Sequence, residues 1–266
     1  MISSGFLGAL AAPFYLYAFF VIFMRLRFDL PADFKRVQVC WSSGVATLLH
    51  GASLWLGIHH DGAAWFSLGI GLSLIGWAAS AALLLIAIAR PVEALGLFVW
   101  PFALLGLVAQ NSMGLPHALP PQYGVHVLLA VMAYSLLGLA AAQAVLYSVQ
   151  ERNFKRQRLT RLFRTLPPLA MMENTLYGLL VIGFVVLTLA LITGALFVDD
   201  LFGQHLVHKT FFSMLAWLVY AGLLWGHWRR GWRGQKAVRA TLIAFGLLVL
   251  GYVGSQFVLE ILLNRP

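Results

Sequence analysis

Leu176-Tyr177-Gly178-Leu179-Leu180-Val181-Ile182-Gly183-Phe184-Val185-Val186-Leu187-Thr188-Leu189-Ala190-Leu191-Ile192-Thr193-Gly194-Ala195-Leu196-Phe197 is a run without one charged side chain. About 20 mostly apolar residues in helical form cross the hydrocarbon core of a bilayer. Seven further runs have the same character, roughly 5–24, 38–58, 64–89, 92–113, 124–149, 209–226 and 239–263. The few charges within them (Glu93, Lys209, Arg239, Glu260) stand near run ends. Hydrocarbon supplies no hydrogen-bond partner, so each segment must pair its own backbone groups and is predicted to be a helix. Alternating strands of a β-barrel are not visible. The fold class expected is an all-α, polytopic transmembrane bundle of about eight spans, a single integral membrane domain over 1–266, with Arg90-Pro91 and Glu93 marking a tight turn between runs three and four.

Composition agrees with that reading. Of 266 residues, 61% are hydrophobic and 10% charged, at a mean hydropathy of +0.85. A soluble domain needs far more charge to cover its surface. The single cysteine, Cys40, excludes a disulfide framework and any CxxC motif. The formal charge of +9 comes from short basic bursts between apolar runs, a membrane pattern and not a nucleic-acid-binding face.

Those bursts set the expected orientation. Arg25, Arg27, Lys35 and Arg36 follow run one, and Arg90 follows run three. Arg152, Lys155, Arg156, Arg158, Arg161 and Arg164 follow run five, and Arg229, Arg230, Arg233, Lys236 and Arg239 follow run seven. Of the 18 Lys and Arg, only Lys209 and Arg265 lie elsewhere. Under the positive-inside rule these four connections are cytoplasmic and both termini face outward. No basic residue precedes the first run, so it reads as a retained helix and not a cleaved leader. In the connection 150–175, Phe154, Leu159, Leu162, Phe163 and Leu166 fall at near-helical spacing among basic residues, which reads either as an interfacial helix or as a plain basic tether before Pro167-Pro168.

The histidines then sort by depth. His59, His60, His117, His205 and His208 fall in outward connections, where they read first as polar loop residues. His126 begins run five, His50 lies in the outer half of run two, and only His227 is at the basic side. An ionisable side chain inside an apolar helix costs free energy and marks a site or a buried hydrogen bond, which singles out His50. Imidazole is also a common ligand of haem iron and transition metals. There is no Gly-rich phosphate loop, no HExxH and no GxSxG, and too few intramembrane carboxylates for a cation relay. Glu260 reads as a snorkelling carboxylate or as a partner for a histidine.

The last third carries a resemblance. His208-Lys209-Thr210, Ala216-Trp217-Leu218-Val219-Tyr220-Ala221, Leu224-Trp225-Gly226-His227, Gly231-Trp232-Arg233-Gly234 and Tyr252-Val253-Gly254-Ser255 follow one another in the order found in the cytochrome c assembly family, the haem-handling membrane proteins of the CcsA and CcmC type. Val125-His126-Val127 with Tyr134-Ser135 resembles that family's external-histidine helix. Pro167-Pro168-Leu169 with Met172-Glu173 resembles its YpjD/HemX-like branch. The similarity covers roughly 65–262 and is strongest over 205–255. It implies a bacterial inner-membrane protein that binds or carries haem in c-type cytochrome biogenesis, with other biogenesis proteins or an apocytochrome as partners. His126 matches an external haem ligand and His227 a membrane-site histidine. The chain departs from the family's synthases: Phe202-Gly203-Gln204-His205-Leu206-Val207-His208 replaces a Trp-rich segment, and Glu260-Ile261-Leu262-Leu263 stands where a second external histidine is expected.

Three functions follow as expectations. The first is haem ligation near the outer face through His126 and His50, with His205, His208 and Glu260 as further outward candidates. At 1.5 Å per residue, His50 lies about 12 Å and His126 about 3 Å below the outer helix ends, so a shared haem requires tilt. The second is a non-enzymatic scaffold or regulator that keeps the fold without haem transfer. The third is divalent-cation transport, which the scarcity of intramembrane carboxylates disfavours. The orientation is checked by reporter fusions. Alkaline phosphatase attached after Pro266 is expected to be active and the same enzyme inserted after Arg230 inactive; the reverse pattern overturns the orientation.

Overall fold

In the computed structural model, residues 3–28, 30–31, 33–60, 63–113, 117–155, 166–197 and 207–254 are described. They form eight long helices: α1 (Ser4–Phe28), α2 (Arg36–Ile58), α3 (Leu68–Ala89), α4 (Gly96–Ser112), α5 (Gly124–Lys155), α6 (Leu169–Phe197), α7 (Val207–Arg230) and α8 (Gln235–Val249). A π-helical turn, Leu250–Gly254, continues α8. The chain is thus an all-α polytopic membrane protein.

Seven of the eight helices are long and apolar enough to cross a bilayer. The exception, α2, has 23 residues, or about 35 Å of helix, so length is not what sets it apart. Its hydropathy is diluted by Ser42, Ser43, Thr47, His50 and Ser53, all of them buried. Val37, Trp41, Leu48 and Trp55 occupy its exposed side. The helix is polar inward and apolar outward, as a segment in lipid must be when its polar groups are paired within the protein.

Consecutive helices pack as antiparallel hairpins, α1 on α2, α3 on α4, α5 on α6 and α7 on α8. Contacts of α3 with α5 join the first four helices to the last four, and contacts of α5 with α8 tie the two later hairpins together. The α3–α4 pair is close because small residues face one another. A Cβ on Gly76 would lie 2.8 Å from Ala103 Cα, and one on Gly106 would lie 2.8 Å from Ser73 Cα. Lipid tails are as apolar as leucine, so association in a bilayer depends on such backbone approach and on polar contacts between helices.

Ala64 to Ser67, expected to begin the third span, instead precede it. Ala63–Phe66 form a strand, β2, between β1 (His59–His60) and β3 (His117–Ala118). Both pairings are antiparallel, with His59 opposite Ala64 and Phe66 opposite His117. Ser67 then caps α3, its hydroxyl accepting the Ile70 N–H at 3.2 Å. Aromatic and β-branched content extends an apolar run equally well as strand or helix, and the serine cap sets the boundary. At the other end α5 continues to Lys155, and α6 begins at Leu169, directly after Pro167-Pro168. Most of the predicted interfacial segment, 156–165, lies outside the described residues, and Leu166 is buried.

Gly76→Val is expected to destabilise the bundle by about 1–3 kcal/mol through overpacking against Ala103, while the same change at Gly44, which faces open space, has a smaller effect. Thermal unfolding in detergent checks this; equal losses at the two positions overturn the packing argument.

Candidate functional site

His126 lies in the first turn of α5, against α6. Its Nδ1 is 2.9 Å from the Ala190 carbonyl oxygen and 3.4 Å from Thr193 Oγ1. A carbonyl oxygen only accepts, so Nδ1 carries the proton and donates. Nε2 is therefore left with its lone pair, the form in which imidazole binds a metal. Gly194 makes this arrangement sterically possible, since a Cβ there would lie 2.9 Å from His126 Cε1.

The imidazole lines a cavity of about 310 Å³, which it shares with His117, Tyr123, Tyr134, Lys209 and Tyr252. Most of the remaining wall is aliphatic, from α5 and α6. The size lies in the range of small-molecule sites, and the mixture of apolar wall with a few polar groups is typical of them. A second cavity of about 340 Å³ lies between α3, α4, α5 and α8 and is almost wholly apolar, with Phe98, Phe102 and Phe245 in its wall. Ile75, Tyr134 and Tyr252 border both cavities. The Tyr134 and Tyr252 rings stand 5.5 Å apart at 52°, and Tyr134 donates to Leu248 O at 3.1 Å. They form a partition between a histidine-bearing chamber and an apolar one.

In the sequence, His117 reads as a polar residue of an outward connection. Pairing of β3 with β2 carries it to the cavity, and its ring meets Phe66 edge-on at 6.3 Å. The signal was absent because that pairing joins segments about fifty residues apart, and neither has the length or turn chemistry of a recognisable hairpin.

His50 occupies a different environment. It is fully buried, and both ring nitrogens have protein partners: Nδ1 with Tyr15 Oη at 3.3 Å and Nε2 with Ser73 Oγ at 2.8 Å. Ser73 Oγ also bonds Gln110 Oε1 at 3.0 Å, and Gln110 Nε2 reaches Ser53 O and Oγ, each at 3.3 Å. Ser53 donates to Ser4 O at 2.8 Å, and Trp77 Nε1 to Thr47 O at 2.9 Å. This seam ties together α1, α2, α3 and α4. His50 is not among the residues that line the His126 cavity.

His227 lies at the opposite, basic end. Its Nδ1 is 2.9 Å from Trp232 O, and its ring stacks on Tyr177 at 3.5 Å between centroids. Tyr177 Oη donates to the same carbonyl. The turn that presents Trp232 needs positive φ at Gly231 (62°) and Gly234 (63°), which glycine adopts without a Cβ penalty. His205 and Glu260 lie outside the described residues, and His208 is described only as backbone at the start of α7. Among the described residues, no group of three or more His, Cys, Asp or Glu is placed to hold a metal ion.

The sequence model of the Cytochrome C assembly protein family matches residues 4–263. The chain is 32% identical to the inner membrane protein YpjD of Escherichia coli over 168 residues, 62% of this chain and 64% of that protein. It is 38% identical to an uncharacterized 28.8 kDa protein of Azospirillum brasilense over 142 residues, 53% of this chain and 52% of the relative. Over 88 residues, 32% of this chain and 26% of the relative, it is 30% identical to the cytochrome c biogenesis protein CcsA of a Synechococcus strain. The matched stretches thus span less than two thirds of these relatives' lengths. No solved structure matches the chain significantly.

The two histidine environments predict different responses to truncation. His50→Ala removes one partner each from the Tyr15 and Ser73 hydroxyls, which keep Thr47 Oγ1 and Gln110 Oε1, and is expected to cost about 1–3 kcal/mol for each buried group not re-satisfied. His126→Ala removes one contact at a cavity wall and costs less. Melting temperatures in detergent check the order, and a His126→Ala loss as large as that of His50→Ala overturns it.

Proposed function

Because this chain belongs to the Cytochrome C assembly protein family, we propose that it is a multi-pass protein of the bacterial inner membrane that binds haem as cargo during c-type cytochrome biogenesis. The observation that carries the reading is the state of His126: a proton held on Nδ1 by Ala190 O, a free lone pair on Nε2, and a cavity of small-molecule size beside it. Haem iron takes axial ligands from such an imidazole, and aliphatic walls shield a macrocycle from water. The donor set fits that cargo. His126 supplies a ligand, His117 is a second imidazole in the same cavity, and Lys209 is a cation of the kind that pairs with propionates.

His50 was the partner expected from its depth, and its two occupied nitrogens favour His117 in that place. The resemblance also gives His227 a part in a separate site at the basic end. Its Nδ1 likewise rests on a carbonyl, which leaves Nε2 with its lone pair. The chain's own work in this reading is to orient imidazoles, exclude water and separate two chambers with Tyr134 and Tyr252. A scaffold role without haem is the second reading, supported by the lack of tryptophan in Phe202–His208.

Protein purified from haem-supplemented membranes is expected to be red, with a Soret band of low-spin, six-coordinate iron. His126→Ala abolishes that signature, His117→Ala converts it to a five-coordinate spectrum, and His50→Ala leaves it in place. Conversion by His50→Ala with no effect of His117→Ala restores His50 as the ligand. A colourless protein after supplementation overturns the haem reading in favour of the scaffold.

A further inference from the structure

Arg25, in the last turn of α1, is only 2% exposed. Its Nε donates to Phe34 O at 2.6 Å, while Nη2 has no hydrogen-bond partner among the described residues. A guanidinium keeps its charge and offers five N–H donors, so it cannot relieve burial by losing a proton. The buried carboxylate nearby, Glu93, is engaged by Arg36, whose Nε makes the ion pair and whose Nη2 donates to Ala87 O at 2.7 Å. Glu93 and Asp33 act on Arg25 through space, but no ion pair or hydrogen bond among the described residues joins its Nη2 to a carboxylate. Leaving a buried charge without adequate compensation costs several kcal/mol.

Arg25 and Glu93 line a cavity of about 220 Å³ between the end of α1, the α3–α4 turn and Leu166-Pro167-Pro168 ahead of α6. The prolines have no N–H to offer, and Pro167 O already accepts from Gln150 Nε2. The cavity thus combines a buried guanidinium, an unused planar donor and room for a small group. It lies at the end of the bundle that also carries Arg27, Lys35, Arg90, Arg152 and Arg233, a level where anionic headgroups collect around basic residues.

We infer that this cavity is a binding site for one phosphate group, anchored by Arg25 and supplied by an anionic lipid headgroup or by free phosphate. Guanidinium is geometrically matched to phosphate oxygens, which accept two parallel N–H bonds. Arg36 holds the Glu93 carboxylate in an ion pair, so Arg25 Nη2 is the donor left for an incoming anion. The site lies at the end of the helices opposite His126 and does not depend on the haem reading.

The test titrates the purified full chain, in uncharged detergent, with phosphatidylglycerol, phosphatidylcholine or inorganic phosphate, and follows the thermal midpoint. Phosphatidylglycerol is expected to raise it, as any ligand of the folded state does. Arg25→Gln is expected to weaken the apparent affinity about tenfold or more, in line with the loss of a hydrogen bond to a charged group. Glu93→Gln removes the competing carboxylate and is expected to tighten binding, which keeps the test decisive if Arg25→Gln does not fold. A shift with the anionic lipid alone identifies the headgroup as the source, and a shift with inorganic phosphate as well shows that the phosphate group suffices. No shift in the unsubstituted chain, equal shifts with and without Arg25, or no gain from Glu93→Gln when Arg25→Gln is unfolded each overturns the site.

Discussion

Hydrocarbon offers nothing to hydrogen-bond with, and most of this architecture follows from that one deficiency. Backbone groups pair along their own helices, and polar side chains that enter the bundle must find partners on neighbouring helices. The seam around His50 is the clearest case. Tyr15, Ser73, Gln110, Ser53 and the Ser4 carbonyl are joined in one chain of hydrogen bonds across four helices. These partners also explain how α2, the one long helix among the described residues that does not qualify as a span by hydropathy, stays within the bundle. It turns Ser43, Thr47, His50 and Ser53 inward and presents Trp41, Leu48 and Trp55 outward.

The same side chain does opposite work at two positions because its partners differ. At His50, two hydroxyls take both nitrogens, and the imidazole becomes a cross-link. At His126, a carbonyl takes one nitrogen and leaves the other facing a cavity. A carbonyl partner dictates the tautomer at His126, whereas at His50 the network does so. Ser73 Oγ spends its proton on Gln110 Oε1, so Nε2 donates to Ser73 and Nδ1 accepts from Tyr15. Burial alone does not distinguish these two environments; the identity of the hydrogen-bond partners does.

Close approach and polar contact divide the bundle's stability between them. Glycine and alanine on α3 and α4 let backbones touch, while the hydroxyl and amide groups of the seam fix which helices meet. Between the first four helices and the last four, two cavities are bordered by the same pair of tyrosines. Those cavities lie where packing changes from one hairpin set to the next, which is where a bundle most readily leaves space for a small molecule. The chain belongs to the cytochrome c assembly family, and His126 lines one of the two cavities.

Eight apolar runs were legible in the chain because a helix in lipid must be apolar over a fixed length. The basic bursts were equally plain and sort the connections into two sets. The order of short motifs from His208 to Ser255 also sufficed to indicate the family, since motif order is a property of the chain itself. Boundaries were less visible. The strand Ala63–Phe66 was absorbed into a helical run because its partner, His117–Ala118, is remote in sequence. The site depended still more on the tertiary structure. Whether a histidine has both nitrogens bonded or only one is set by the atoms opposite them, and those atoms come from helices whose register and approach only packing decides. Arg25 shows the same division. Sequence marks it as one basic residue among many, while the fold buries it beside a carboxylate that Arg36 has already taken.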